Sequence, residues 1–243
     1  MDPSLYPRMA AVEDRHWWFA GRRAICDRLL QQCELPKNAA ILEPGCGTGG
    51  NFPLLAHYGR VYAMDAESAA LAFAATRGGA EVARGVLPLG IPFDAQQFDL
   101  AIMTDVIEHL DEPLAALKAV RARLKPRGVL LLTAPAIPRL WSVHDVMHHH
   151  RRRYRLSELR RCLEAAGFTI GYISYYNFWL LPAIVLARTL AGLRRGAGVH
   201  DLIMPPAIIN RILYAVFASE RYLIGRVRIP IGVSLIALAR ARD

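Results

Sequence analysis

An α/β fold on a doubly wound, mostly parallel sheet is predicted by three observations. Short apolar runs alternate with segments of helical spacing from residue 39 to residue 135. The first run ends in a glycine-rich loop, ILEPGCGTGGN at residues 41–51, and the second ends in an acid, Asp65. Strand, loop and helix in that order require right-handed crossovers between parallel strands, and such sheets hold ligands at the carboxyl ends of their strands.

Each element follows in turn. Residues 1–36 read as an N-terminal helical cap, in which RRAICDRLLQQC carries apolar residues at helical spacing before the Pro36-Lys37-Asn38 turn. AAILEPG is a short buried strand, FPLLAHY the helix after the loop, RVYAMD the second strand, and ESAALAFAATRGG a helix closed by glycines. AEVARGV and FDLAIMTDV are the third and fourth strands. EPLAALKAVRARLKPRG reads as a helix ended by Pro126 and Gly128, before VLLLTAP as the fifth strand. Ser157 reads as the N-cap of a later helix with Glu158 in its first turn.

GFTIGYISYYN and PIGVSLIALARA look like the last two strands, separated by residues 178–229. That stretch holds two apolar runs broken by Arg188 and Arg211, short of the roughly 18 uninterrupted apolar residues of a membrane span. They read as an amphipathic helical insertion that could form a lid, face lipid or make a dimer interface. The chain, residues 1–243, is expected to be one domain with these two elaborations.

Composition narrows the setting. With 53% apolar residues the chain can bury a full core, so disorder does not dominate. Its four cysteines, Cys26, Cys33, Cys46 and Cys162, form no C-x-x-C pair and no zinc-site spacing, which suits a reducing compartment. MDPSLYPRMAAVEDRHWWF contains acids and no long apolar run, unlike a secretory signal, so a cytoplasmic location is expected, peripheral on the inner membrane face if the insertion meets lipid. A net charge of +9 suggests an anionic partner, but the arginines are scattered in short groups rather than one tract. No appended RNA-binding module is evident, and nucleic acid is not an expected partner.

The glycine loop admits two readings. Gly45, Gly47 and Gly50 satisfy G-x-G-x-x-G, a dinucleotide fingerprint, while Glu43, Gly45, Gly47 and Gly49 satisfy acid-x-G-x-G-x-G. Asp65, about 20 residues after the first glycine, could bind both ribose hydroxyls under either reading. Glu43 favours the second, because a carboxylate beside the loop is a poor neighbour for pyrophosphate and suits a ligand carrying an ammonium and a sulfonium.

With ILEPGCGTG, VYAMD, LPLGIPFDAQQFDLAIMTDVIEHLDEP, LKPRGVLLLTAP and LEAAGF in order, the chain resembles the class I S-adenosylmethionine-dependent methyltransferases, the small-molecule group with type 11 or type 12 domains. The resemblance spans roughly residues 15–177 and the tail from about residue 230, and implies a seven-stranded Rossmann-like sheet with S-adenosylmethionine as cofactor and S-adenosylhomocysteine as product. It implies that Glu43, Gly45, Cys46 and Gly47 flank the methionine part and ribose, that Asp65 binds the ribose hydroxyls, and that Ala66, Val86 and Leu87 lie by the adenine. Thr104 and Asp105 would line the methionyl end. GVLPL lacks the acid that many members carry near the third-strand turn. RHWWFAGRR resembles an N-terminal capping segment of some members, and Arg22 could clamp the cofactor carboxylate or simply face solvent.

Beyond the fifth strand, HDVMHHHRRR places His144 and His148 four apart, on one helix face, but no carboxylate completes an H-E-x-x-H pattern, and no metal is expected. The segment resembles a W-S-x-H-D…H-x-R-R-Y pattern of one branch, which points to His150, Arg152, Arg153 and Tyr154 as substrate contacts. Methyl transfer is an in-line displacement that mostly needs alignment, but an oxygen nucleophile must also lose a proton. A histidine titrating near about 6.5 can take it. His144 is the expected base, His109 its competitor, and Asp145 an orienting or substrate-binding acid. The expected activity is methyl transfer to a small or lipid-linked metabolite, most naturally at oxygen, with possible membrane contact or dimerisation through residues 178–229. The alternatives left open are a nicotinamide oxidoreductase and an RNA-modifying methyltransferase.

Overall fold

The computed structural model describes residues 5–193 and 203–242. Residues 194–202 of the expected insertion, including Arg194 and Arg195, lie outside the described residues, as do the first four and the last.

Seven strands form one sheet in the order β3-β2-β1-β4-β5-β7-β6. β1 (Ala39–Pro44) pairs in parallel with β2 (Gly59–Asp65) on one side and β4 (Phe98–Thr104) on the other, with Ile41 opposite both Val61 and Leu100. β2 also carries β3 (Ala80–Arg84), and β4 carries β5 (Leu124–Pro135), both parallel, with α3 (Phe52–Leu55) following β1 and α4 (Ser68–Arg77) following β2. β7 (Ser234–Ala241) runs antiparallel to β5 and to the edge strand β6 (Phe168–Tyr176). The chain leaves β1 in one direction and returns at β4 on the other side, so a crevice opens between the ends of β1 and β4, as the switch-point rule requires.

Strand alternation builds two cores. Leu42, Met103 and Leu132 face one side, where they pack with Leu117 of α5 (Pro113–Arg123) and Leu159 of α7 (Leu156–Ala165). Ile41, Leu100 and Leu131 face the other, against Ile25 and Leu29 of α2 (Trp17–Leu30). Each such fully buried aliphatic side chain contributes about 2 kcal/mol of transfer free energy.

Two boundaries differ from the sequence reading. α5 stops at Arg123 and the strand begins at Leu124, before Pro126 and Gly128, because a residue preceding proline disfavours helix and Leu124 already pairs with Phe98. α7 begins two residues earlier than Ser157 would set it: Arg155 is the N-cap, and its amide donates to Glu158 Oε2 at 2.9 Å.

The N-terminal helices α1 (Tyr6–Val12) and α2 lie over the crevice, and the insertion is fastened to α2. Its second helix, α9 (Ala207–Ala218), stacks Phe217 on Trp18, with ring centroids 5.1 Å apart and planes within 7°. A Cβ at Gly21 would stand 2.4 Å from Phe217 Cδ1, so glycine sets this approach. Asn210 accepts from the Trp17 amide and donates to the Arg15 carbonyl, each at 2.8 Å. Below it, buried Glu220 accepts the amides of Asn177, Phe178 and Trp179, at 2.6, 2.8 and 3.1 Å, joining the two ends of the insertion. The first insertion helix, α8, spans Leu181–Leu193. Among the described residues no helix is long and apolar enough to cross a membrane.

Candidate active site

One cleft of about 1010 Å³ runs from the glycine loop, beneath α1 and α2, to the segment after β5.

At its first end the loop conformation is dictated by glycine. Gly45, Gly47 and Gly49 have φ of +71°, +55° and +84°, and a Cβ at Gly45 would lie 2.7 Å from Val106 Cγ2. Asp65 holds the loop from the side: its two oxygens accept the Gly47 amide at 2.8 Å and the Glu67 amide at 3.0 Å. Burial raises its pKa, and those amide bonds act against the rise.

Gly50 answers the dinucleotide reading. Its α-carbon is packed against Glu13, whose Oε2 would be 2.3 Å from an added Cβ. Glu13 also takes the Thr48 hydroxyl and pairs with Arg77 at 2.6 Å, while Arg77 Nε donates to the Thr48 carbonyl at 2.7 Å. The third glycine of G-x-G-x-x-G therefore admits a carboxylate, which would repel a pyrophosphate.

Glu43 reaches the cleft through a neighbour. It is buried, and Asn51 Nδ2 donates to its Oε1 at 2.8 Å and to Thr104 Oγ1 at 3.0 Å; Asn51 and Thr104, not Glu43, form the wall. Glu43 Oε2 has no hydrogen-bond partner. Burial pushes its carboxyl up to about 8, against the lowering effects of Asn51 and Arg22.

Arg22 is buried rather than solvent-facing, and its Nη1 donates to Asp105 Oδ2 across the cleft. Its Nε has no partner. Asp105 adopts φ +55°, with its amide donating to the Thr133 carbonyl and hydroxyl, and its Oδ1 accepts the Thr133 hydroxyl at 2.9 Å. Desolvation opposes the Arg22 charge, but Asp105 holds the guanidinium firmly protonated.

Cys46, Ala66 and Leu87 complete this end. Burial raises the Cys46 thiol well above its ordinary range, so it packs as a neutral side chain. Val86 is a correction: it is 41% exposed and exchanges hydrogen bonds with Gly90, while Gly85 and Leu87 on either side face the cleft. Successive residues of an extended segment point oppositely, so Val86 and Leu87 cannot both do so.

The far end is a histidine cluster. Rings of His109, His144 and His148 have centroids 4.8, 5.6 and 5.9 Å from that of His150, and His144 lies 4.3 Å from His148. His144 and His148 meet because α6 (Val143–Met147) brings positions four apart together. His109 ends a single 3-10 turn (Ile107–His109) after β4, where burial first and then His150 lower its pKa to about 4.

Asp145 lies behind this cluster, fully buried and off the cleft wall, so it does not contact substrate as one expectation had it. Its Oδ1 meets His150 Nδ1 at 2.9 Å and Arg153 Nε at 2.7 Å, and its Oδ2 accepts the Ser142 amide at 2.9 Å. Burial alone would raise its pKa, but those partners hold it well below the carboxylate range. Arg153 lines the cleft with its fork committed to Asp145 and the Ala136 carbonyl. Arg152 and Tyr154 are corrections: Arg152 points to the Asp111 carbonyl, and buried Tyr154 to the Ile107 carbonyl, both away from the cleft. A strand-like run of bulky residues cannot aim every side chain at one site.

Glu13, Asn51, Glu108 and Thr133 were missed in the sequence. Only Asn51, directly after the glycines, and Glu108, beside His109, carried a local signal.

Comparison with known proteins agrees with this geometry. Residues 17–172 match the family model described as a methyltransferase domain. A probable S-adenosylmethionine-dependent methyltransferase of Mycolicibacterium smegmatis is 27% identical over 163 residues, which are 65% of this chain and 62% of that relative's length. The methyltransferase in the complex with the Trm112 methyltransferase activator of Haloferax volcanii superposes with a TM-score of 0.64 at 16% identity, over 99% of this chain and 95% of that one. The cyclase SpnF does so at 0.59 and 20% identity, over 90% of this chain and 81% of its own, so likeness of this degree reports the fold alone. The family match covers well over half the sequence and contains the glycine loop, Asp65, the 3-10 turn and the histidine segment: the chain belongs to the methyltransferase-domain family and carries a class I methyltransferase fold.

Proposed function

We propose that this chain transfers the methyl group of S-adenosylmethionine to an oxygen of a small amphiphilic or lipid-linked metabolite. The observation that carries the reading is the single cleft joining three surfaces: the glycine loop, the histidine cluster, and apolar side chains of the insertion, Ile184, Ala187, Ile203 and Pro205.

The first surface fits the cofactor. Asp65 retains lone pairs for ribose hydroxyls beyond its two amide bonds, with Ala66 and Leu87 beside it for the adenine. Arg22 Nε is a buried donor without a partner, suited to the cofactor carboxylate. Asn51 and Thr104, backed by Glu43, suit the methionine part, and the carboxyl groups of Glu13 and Asp65 on the cleft wall beside the loop favour a cation over a pyrophosphate. When bound, the cofactor supplies an electrophilic methyl carbon on a sulfonium leaving group.

The protein then has two tasks, alignment and proton removal. His144 lies on the cleft wall beside His148 and His150, where it would take the proton of an acceptor hydroxyl. His109 is the poorer base, since a pKa near about 4 leaves little driving force. Asp145 acts at one remove by orienting His150.

An amphiphilic acceptor is supported by the insertion. Besides its cleft residues, α9 presents Ile208, Ile209, Ile212 and Val216 outward on one stripe, 76%, 50%, 57% and 36% exposed, next to Arg211. That stripe suits a lipid surface from which a lipid-linked acceptor would enter.

Transfer of labelled methyl groups to phenolic, quinol-like and polyprenyl-linked acceptors, with and without liposomes, tests the reading. Methylation of an apolar-tailed acceptor but not of its tail-less analogue is expected. Labelling of none of them by protein that binds S-adenosylhomocysteine would defeat the acceptor class.

A further inference from the structure

Glu108 is fully buried at the histidine end of the cleft, and neither of its carboxylate oxygens has a hydrogen-bond partner. A desolvated carboxylate without partners is costly, so its neighbours are informative. One ligand atom from each of Glu108, His109 and His150 lies within 4.8 Å of the other two. All three residues line the cleft, so an ion could enter from solvent and keep a coordination position open to it.

His150 is also oriented as a ligand. Its Nδ1 is engaged by Asp145 Oδ1 at 2.9 Å, which in the neutral ring makes Nδ1 the donor and leaves the lone pair on Nε2. Nε2 is the atom turned toward Glu108, 3.9 Å from Oε1. Carboxylate, imidazole and a third group in line is the arrangement that supports metal-bound histidines, and Arg153 and Ser142 in turn fix the carboxylate.

We propose that Glu108, His109 and His150 bind a divalent first-row transition ion at the acceptor end of the cleft. Two imidazoles with one carboxylate suit zinc, cobalt or iron, whereas magnesium and calcium prefer oxygen throughout. Ligand atoms around tetrahedral zinc stand roughly 3.3 Å apart, so the three groups close by about an ångström on binding. His109, at the end of its short turn and only part-buried, can rotate to do so. His144 and His148 stay outside the site, so the earlier difficulty, a histidine pair with no carboxylate, does not apply. The proposal does not rest on methyl transfer.

The test is titration of untagged full-length protein with cobalt(II) and with zinc(II), without cofactor or acceptor, followed by cobalt d–d absorption and calorimetry. One equivalent is expected to bind, at least tenfold more weakly in Glu108→Gln and in His150→Gln, and with little change in the double variant His144→Gln/His148→Gln. His109→Gln, at a part-exposed position, gives the same reading should the Glu108 variant not fold, with thermal melts reporting folding. Absence of binding by the wild type, equal binding by folded triad variants, or loss confined to the double variant would each overturn the proposal.

Discussion

Asp145 and His150 are joined by a buried hydrogen bond, Oδ1 to Nδ1 at 2.9 Å, that makes the acid next to His144 the partner of a different histidine. Since Arg153 shares the same oxygen, Asp145 is both a structural anchor and the group that orients His150. Asp145→Ala leaves a buried guanidinium unpaired and is expected to cost about 3–5 kcal/mol of stability. Asp145→Asn keeps the shape and should cost less, yet lower turnover by an order of magnitude or more with little change in cofactor affinity. Melting temperatures and single-turnover rates of the two variants check this.

Asp65 should govern cofactor affinity and also brace the loop through the Gly47 and Glu67 amides. Asp65→Ala removes the carboxylate proposed for the ribose together with its bonds to the loop amides, so binding of S-adenosylhomocysteine is expected to weaken by at least about 1.5–3 kcal/mol, the value of a charge-assisted hydrogen bond. Calorimetric titration reads this directly. NADH should not bind either protein, and measurable binding would return the loop to the dinucleotide reading.

The packing of Gly50 makes a sharper test of the same loop. Gly50→Ala forces a methyl group into the Glu13 carboxylate, at 2.3 Å before relaxation, and should destabilise by about 1–3 kcal/mol. Gly78→Ala, where an added Cβ meets nothing within 4 Å, separates crowding from backbone strain, since Gly78 sits at φ +70°. Chemical denaturation of both variants, with the Gly50 change the more sensitive to removal of the Glu13 side chain, would establish the contact.

The insertion's hold on α2 is also testable. Asn210→Ala deletes the bonds to Trp17 and Arg15 at a part-exposed position, worth about 1 kcal/mol. Global stability should barely move, whereas proteolysis within residues 178–229 should accelerate severalfold, because local opening depends on local contacts. Unchanged proteolysis would show that Phe217 and Trp18 hold the helix alone.

These results separate what is legible in sequence from what is not. The parallel sheet, the glycine loop and the acid at the end of the second strand were readable because short apolar runs and turn chemistry are local. Val86 and Tyr154 were misplaced because motif position sets the segment and not the side to which a residue points. Which histidine Asp145 would orient was not legible for the same reason: its partner is five residues on, across the end of a helix. Glu13 could not be found at all, since its contacts with Thr48 and Arg77 cross 35 and 64 residues.

Two titrating groups, buried Glu43 and part-buried His109, give the apo protein opposite pH responses. Glu43 titrates at about 8 folded, above its ordinary 4.5, so between those values the folded state binds more protons and stability falls as pH rises. His109 titrates at about 4 folded, below 6.5, so the unfolded state binds more protons there and stability falls as pH drops through that window. Glu43→Gln should therefore stabilise the apo protein at pH 8 by about 3–4 kcal/mol relative to its effect at pH 5, while weakening binding of S-adenosylhomocysteine. His109→Gln should flatten the loss of stability between pH 6.5 and 4 without altering the alkaline side. Denaturation midpoints measured across pH 4 to 8 for the three proteins resolve the two contributions. A Glu43→Gln protein with the wild-type slope above pH 5 would mean that Asn51 and Arg22 keep the carboxylate charged, and that Glu43 serves the loop as an anion even before the cofactor arrives.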